Sequence, residues 1–369
     1  MSRAERLSAL RELETVRHSR VLTYFLSDRE SFPPGLPGIA TSMASEPQLR
    51  FVDILRRMGH VERLDLLLYT RGGATESVWP LVNVLRSHCA HFAVLVPFRA
   101  HSAGTMVCLG ADEVVMSDFA ELSPIDPTTG NQFNPRDPSN PAAQYGISVE
   151  DVVAYFDLAE QRAHIESETA RVEVLRQLIQ TVHPLALGNV QRVYQLIRRL
   201  AVRLLQLHLT DHGEAHENHL DHIVDGLTKE FYSHVHAISR DEAINLMGTW
   251  IRGPNTDEQG PLLALFDKYV SDLHLMEKFN VPTVLGSEQT KPVTVVGGFI
   301  ETTDHSVRYE TELEIIQRPV TPGLPQGFPQ PQPAASGGPK AYDFVVRRTG
   351  WTEDSLNSEE EREADDQQL

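Results

Sequence analysis

Ser102 stands in the run HSAGT, which follows the apolar FAVLVPFRA and heads a segment of helical spacing through Met106 and Leu109. A serine so placed has an exposed hydroxyl, the free N–H groups of the first helical turn face the same space, and the helix dipole favours negative charge there. That suits a nucleophile, and it equally suits an ordinary N-cap serine. A second run sharpens the choice. Gly72 and Gly73 end the strand-like LDLLLYTRGG. Paired glycines let the backbone approach a substrate carbonyl, with Gly72 beside the substrate and the N–H groups of Gly73 and Ala103 forming an oxyanion hole. Phosphate binding is the other use of such loops, but neither GxxxxGK[ST] nor GxGxxG occurs here.

A serine nucleophile needs a base. The first lysine of the chain is Lys229, so a Ser–Lys dyad would have to come from there or later. Histidine fits better. The chain has 16, among them His101 beside the serine, His183, the series His208, His212, His216, His219 and His222, and the pair His234 and His236. Asp126 in SPIDP and Asp112 are the nearest carboxylates to orient one of them. The four-residue spacing of His208, His212 and His216 would line one helical face and suit a metal ion, but Gly213 weakens such a helix and no cysteine completes a shell. A solvated polar face is the expectation, with no metal and no cofactor.

The elements that must hold these residues follow from periodicity. Three short apolar runs, residues 64–70, 92–97 and 113–117, alternate with two segments of helical spacing. This βαβαβ pattern calls for a parallel sheet with its chemistry at the carboxyl ends of the strands, where TRGG and HSAGT lie. Residues 4–16 and 47–58 read as amphipathic helices and 19–27 as a strand. Residues 128–146 read as a long polar loop. Residues 148–222 read as a mostly helical block, interrupted near Pro184 and Gly188, that either packs on the sheet or mediates self-association. Residues 293–317 alternate as an antiparallel hairpin. Residues 318–339 are too rich in proline, glycine and glutamine to fold, and the patch 342–351 before the acidic tail is a last strand or a docking motif.

The bulk numbers exclude several classes. A net charge of −18 argues against a polyanionic partner such as nucleic acid. Two cysteines in apolar contexts build no disulfide framework. No run approaches the roughly 18 apolar residues of a membrane helix, so a cytoplasmic, membrane-free protein is expected.

Four segments, LRELETVRHSRVL, LDLLLYTRGG, VPFRAHSAGTMVCLGADEVVMSDFAELSPIDP and FYSHVHAISRDEA, together resemble the serine dehydrogenase proteinase family, a branch of the Clp peptidase and crotonase-like fold. The resemblance covers residues 8–250 and implies an α/β core of stacked ββα units, here with a long helical insertion and a C-terminal β-hairpin. It implies a serine peptidase with Ser102 as nucleophile, Asp126 as the aspartate of the PIDP word and His234 as the base. The family's diglycine follows proline where this chain has Arg71. It further implies a homo-oligomer acting on peptide or unfolded protein, with a partner ATPase or adaptor, since the chain has no ATPase motif. The expected organisation is a peptidase domain over 1–292, a hairpin extension over 293–317, and a largely disordered linker and tail over 318–369. Two other readings stand beside it: a crotonase-like acyl-CoA enzyme, which would need no serine nucleophile, and a catalytically silent oligomeric scaffold. An α/β-hydrolase is disfavoured because Ala100 replaces the first glycine of GxSxG.

Overall fold

The computed structural model describes residues 3–125, 128–137, 140–210, 213–230, 233, 236–319 and 340–354. The chain forms two compact units. One comprises Met43–Gln48 and His60–Asn255, the other Met1–Ser42, Leu49–Gly59 and Thr256–Leu369.

In the first unit, the strands Val61–Tyr69, Cys89–Val96, Glu113–Met116 and Ile251–Arg252 run parallel in that order, with Leu66 beside Val94 and Val94 beside Val114. Consecutive residues Leu66, Leu67 and Leu68 are all fully buried, the mark of a sheet covered on both faces rather than an alternating one. Helices Val78–Arg86 and Ala103–Leu109 are the crossovers. The βαβαβ expectation therefore holds, and both special loops lie at carboxyl strand ends.

The helical block is present as Val149–Asp157, Glu168–Thr181, Pro184–Leu205 and Glu214–Asp225. It is interrupted at residues 182–183, beside Pro184 as expected, and also at 163–167 and 206–210, but not at Gly188. Pro184 occupies the first turn, where no intrahelical N–H bond is lost, and Gly188 continues the helix. His208 lies beyond the end of that helix and His216 inside the next, so the histidines expected on one helical face are on separate segments; His212 lies outside the described residues. The stretch 128–146 is less irregular than expected, for Thr128–Thr129 pairs with Ile147–Ser148 and Arg136–Asp137 with Asn140–Gln144.

The second unit is an antiparallel sheet of Arg20–Leu26, Thr290–Glu301, Ser306–Pro319 and Lys340–Glu353, with helix Arg3–Arg17 packed on helix Thr256–Asp272. The expected hairpin is found. It is not an extension beyond residue 292, because its first strand pairs Phe299 with Phe25 and Ile300 with Tyr24, which builds it into the same unit as the N-terminal strand. The patch 342–351 is a strand, with Trp351 opposite Tyr309, so that part of the expected disordered tail is ordered by thirteen paired positions from Val307–Glu353 to Pro319–Lys340.

Candidate active site

The site is built by backbone pairing at the end of the parallel sheet. Thr70 pairs in parallel with Ala100: the Thr70 N–H donates to the Arg99 carbonyl at 3.0 Å and the His101 N–H to the Thr70 carbonyl at 3.1 Å. This brings the diglycine beside the serine. A Cβ placed on Gly72 would lie 2.8 Å from Ser102 Cβ and 2.9 Å from the His101 carbonyl, so only glycine fits there. A Cβ on Gly73 would lie 2.2 Å from the Met43 carbonyl oxygen, because residue 43 pairs with the loop through Met43 N–H to Gly72 O and Ala74 N–H to Met43 O, both 2.8 Å.

The amides of the two loops are divided between those bonded within the structure and those with no acceptor among the described residues. The Gly72 N–H donates to Thr70 Oγ1 at 2.9 Å, and the Ser102 N–H to Ser123 Oγ at 2.8 Å. Among the described residues nothing accepts from the Gly73 N–H, and Ala103, as the first residue of its helix, has no intrahelical acceptor. Ser102 itself has φ 49° and ψ −109°, a conformation L residues rarely adopt, costing about 1–3 kcal/mol. Its side chain makes no cap bond to its own helix, which removes the ordinary N-cap explanation.

The neighbouring histidines are accounted for. His101 Nε2 lies 3.1 Å from Glu121 Oε1, which also accepts from Arg99 Nε at 2.7 Å. Burial lowers its pKa; Glu121 opposes this, while Arg71 and Arg99 add to it. His183 caps helix Pro184–Leu205 and stacks on Phe133 at 4.8 Å, and His236 faces Glu242 at 3.2 Å. Asp112 accepts from the Phe92 N–H and from Arg86, both at 2.8 Å, so it anchors a strand start. Asp126 and His234 lie outside the described residues. The segments that flank them do not: Arg99–Ala100 pairs with Glu121–Leu122, which pairs with Ile238–Ser239, in one three-stranded sheet. These strands end two residues before Ser102, end four before Asp126 and begin four after His234.

Two residues that the motifs left unremarked complete the arrangement, Ser123 and Thr105. Their side chains cross-link the serine turn to the segment 121–125, and a separation of 18 to 21 residues carries no periodic signal. For a metal, the one cluster of three possible ligands among the described residues is in the other unit, where Asp53, His305 and Glu353 bring ligand atoms within 4.8 Å. Arg57 already supplies a cation there, 2.9 Å from Asp53 and 3.9 Å from Glu353.

Comparison with known proteins bears on the same stretch. Residues 1–138 match the family model described as ClpP-like SDH-type serine proteinase. Two uncharacterized proteins of Methanocaldococcus jannaschii are similar to the chain, one 34% identical over 127 residues and the other 29% identical over 126. Each match takes in 34% of this chain and 43% of the relative, so the chain spans less than half the length of the curated relatives it matches. Among solved structures, a mutant of a membrane-bound stomatin-specific protease aligns with a TM-score of 0.35 and 12% identity, over 59% of this chain and 77% of that one. The resemblance read from the sequence thus holds over residues 1–138, and with it the α/β, Clp-like class of fold. No helix among the described residues is long and apolar enough to cross a membrane.

Proposed function

We propose that this chain, similar over its first 138 residues to ClpP-like SDH-type serine proteinases, is a serine peptidase that cleaves peptides or unfolded segments at Ser102. The observation that carries the reading is the conformation of Ser102 beside two amides, Gly73 and Ala103, that have no structural acceptor among the described residues. In the proposed reaction Ser102 Oγ bonds to the scissile carbonyl carbon while its proton passes to His234, whose imidazole Asp126 orients. The carbonyl oxygen takes the negative charge and is held by the Gly73 and Ala103 N–H groups. Collapse breaks the C–N bond, His234 returns the proton to the leaving amine, and water releases the acyl group by the same steps in reverse. Gly72 lies against Ser102, where a side chain would block the substrate.

The pairing of the strands that flank Ser102, Asp126 and His234 supports the triad, since it brings three distant stretches of sequence to one edge. In this reading the protein acts as a homo-oligomer, and a partner ATPase or adaptor delivers folded substrates. The test is labelling with a fluorophosphonate probe. The wild-type chain labels, and Ser102→Ala and His234→Ala do not. A folded wild-type protein that stays unlabelled, with no peptide hydrolysis, sinks the reading in favour of the acyl-CoA or scaffold alternatives.

A further inference from the structure

Ser102 cannot hold its conformation alone. With φ 49° and ψ −109° it needs surroundings that over-determine it, and three backbone bonds converge on the turn. The His101 carbonyl accepts from the Gly104 N–H at 2.7 Å and the Ser102 carbonyl from the Met106 N–H at 3.0 Å, both of which an ordinary helix start would also supply. The third is different in kind. The Ser102 N–H donates to the hydroxyl of Ser123, a side chain 21 residues away and 2% exposed.

That hydroxyl is itself held. It donates to the Pro124 carbonyl at 3.0 Å, which fixes its proton and turns a lone pair toward Ser102. The backbone of Ser123 is clamped by fully buried Thr105 of the serine's own helix: the Ser123 N–H donates to Thr105 Oγ1 at 3.1 Å, and Thr105 Oγ1 lies 2.9 Å from the Ser123 carbonyl and 2.8 Å from that of Ala100. Without the Ser123 hydroxyl, the Ser102 N–H would be a part-buried donor with no partner, and rotation of the 101–102 peptide toward a relaxed conformation would relieve both that cost and the strain.

Resting on the peptidase reading, we infer that Ser123 is a positioning residue: it binds the nucleophile's own N–H, holds Ser102 in its reactive conformation, and so leaves the Gly73 and Ala103 amides to the oxyanion. Ser123 touches no substrate. The same hydroxyl-to-amide link also ties the serine turn to the described segment 121–125.

The experiment compares full-length wild type, Ser123→Ala, Ser123→Thr and Ser117→Ala. Ser117 is a control of equal burial, whose hydroxyl donates to the Pro97 carbonyl at 2.7 Å outside the turn. With a fluorophosphonate, the maximal modification rate of Ser123→Ala falls on the order of 100-fold while the concentration for half-maximal rate is little changed. Ser123→Thr, which keeps the hydroxyl, recovers most of the rate, and Ser117→Ala keeps all of it. A Ser123→Ala protein that reacts at the wild-type rate, or a Ser117→Ala protein slowed as much, overturns the inference. Amide exchange separates this from failure of the peptidase reading itself. In Ser123→Ala the Ser102 N–H exchanges faster than in wild type whether or not the protein reacts with the probe, and unchanged protection of that amide refutes the positioning role.

Discussion

Two buried polar assemblies in this protein are built on opposite principles. In the antiparallel unit, Arg6 faces Glu301 at 2.8 Å, Asp354 at 3.3 Å and also Asp272, while Arg3 donates to the Asp354 carbonyl at 2.7 Å. Tyr269 donates to Glu301 at 2.8 Å, and burial together with that charge holds its pKa well above the usual phenol value. Burial works against the charge of Arg6, but Glu301 outweighs it and raises the pKa above the ordinary guanidinium value. Every formal charge there has an opposite one. At Ser102 the backbone is strained, and two N–H donors, of Gly73 and Ala103, have no hydrogen-bond acceptor among the described residues. Closed pairing makes architecture; donors left open make a place for charge that develops only during a reaction.

The widest separation between the two is expected from Ser102→Gly. Glycine adopts φ 49° without strain, so the variant should melt no lower than wild type while fluorophosphonate reactivity falls at least ~10⁴-fold. A reactive Ser102→Gly protein would break the contrast at its root. Glu301→Ala should do the reverse: it removes one of the three carboxylates around buried Arg6 and costs about 3–5 kcal/mol in urea unfolding, with the reactivity of the folded fraction intact. Gly73→Ala tests the open donors directly. Its Cβ would press on the Met43 backbone and displace the N–H, slowing modification on the order of 10²-fold.

The smallest effect sharpens the comparison from between the two extremes. At the far end of the serine's helix His208 donates through Nε2 to the Leu109 carbonyl at 3.1 Å and meets Trp250 edge-on at 4.6 Å. Burial pushes its pKa down from 6.5 to about 4. The unfolded chain therefore takes up a proton below pH 6.5 that the folded ring refuses until about pH 4. This residue's contribution is complete above pH 6.5 and is lost as pH falls toward 4. Between pH 6.5 and 5 the loss is on the order of 2 kcal/mol, and His208→Gln should remove that part of the slope in denaturant melts.

The parallel half of the fold was readable because its signals are local: unbroken apolar runs, helical spacing between them, and glycine pairs at their ends. The candidate loops came with it, since Gly72, Gly73, Ser102 and Ala103 are placed by strand ends rather than by distant contacts. What sequence alone did not reveal depends on long separations. The pairing of Tyr24 with Ile300 has no local signature, so the hairpin looked like an appendage. The last strand mixes charged and half-buried residues along Lys340–Glu353, so the sequence left the patch 342–351 open between a strand and a docking motif. Gly188 looked like a break because glycine is a poor helix former, yet it continues the helix Pro184–Leu205. Ser123 was hidden for the same reason as the hairpin, its partner being 21 residues away.

The Arg6 cluster also imposes an order on synthesis. The unit carrying Ser102 has all its residues once Asn255 has left the ribosome, so its parallel sheet can close early. Arg3 and Arg6 precede that unit in sequence, yet their partners Asp272, Glu301 and Asp354 follow it. Helix Arg3–Arg17 must wait, solvated, until those partners are made, so the unit whose segments flank the other in sequence is the one that closes last.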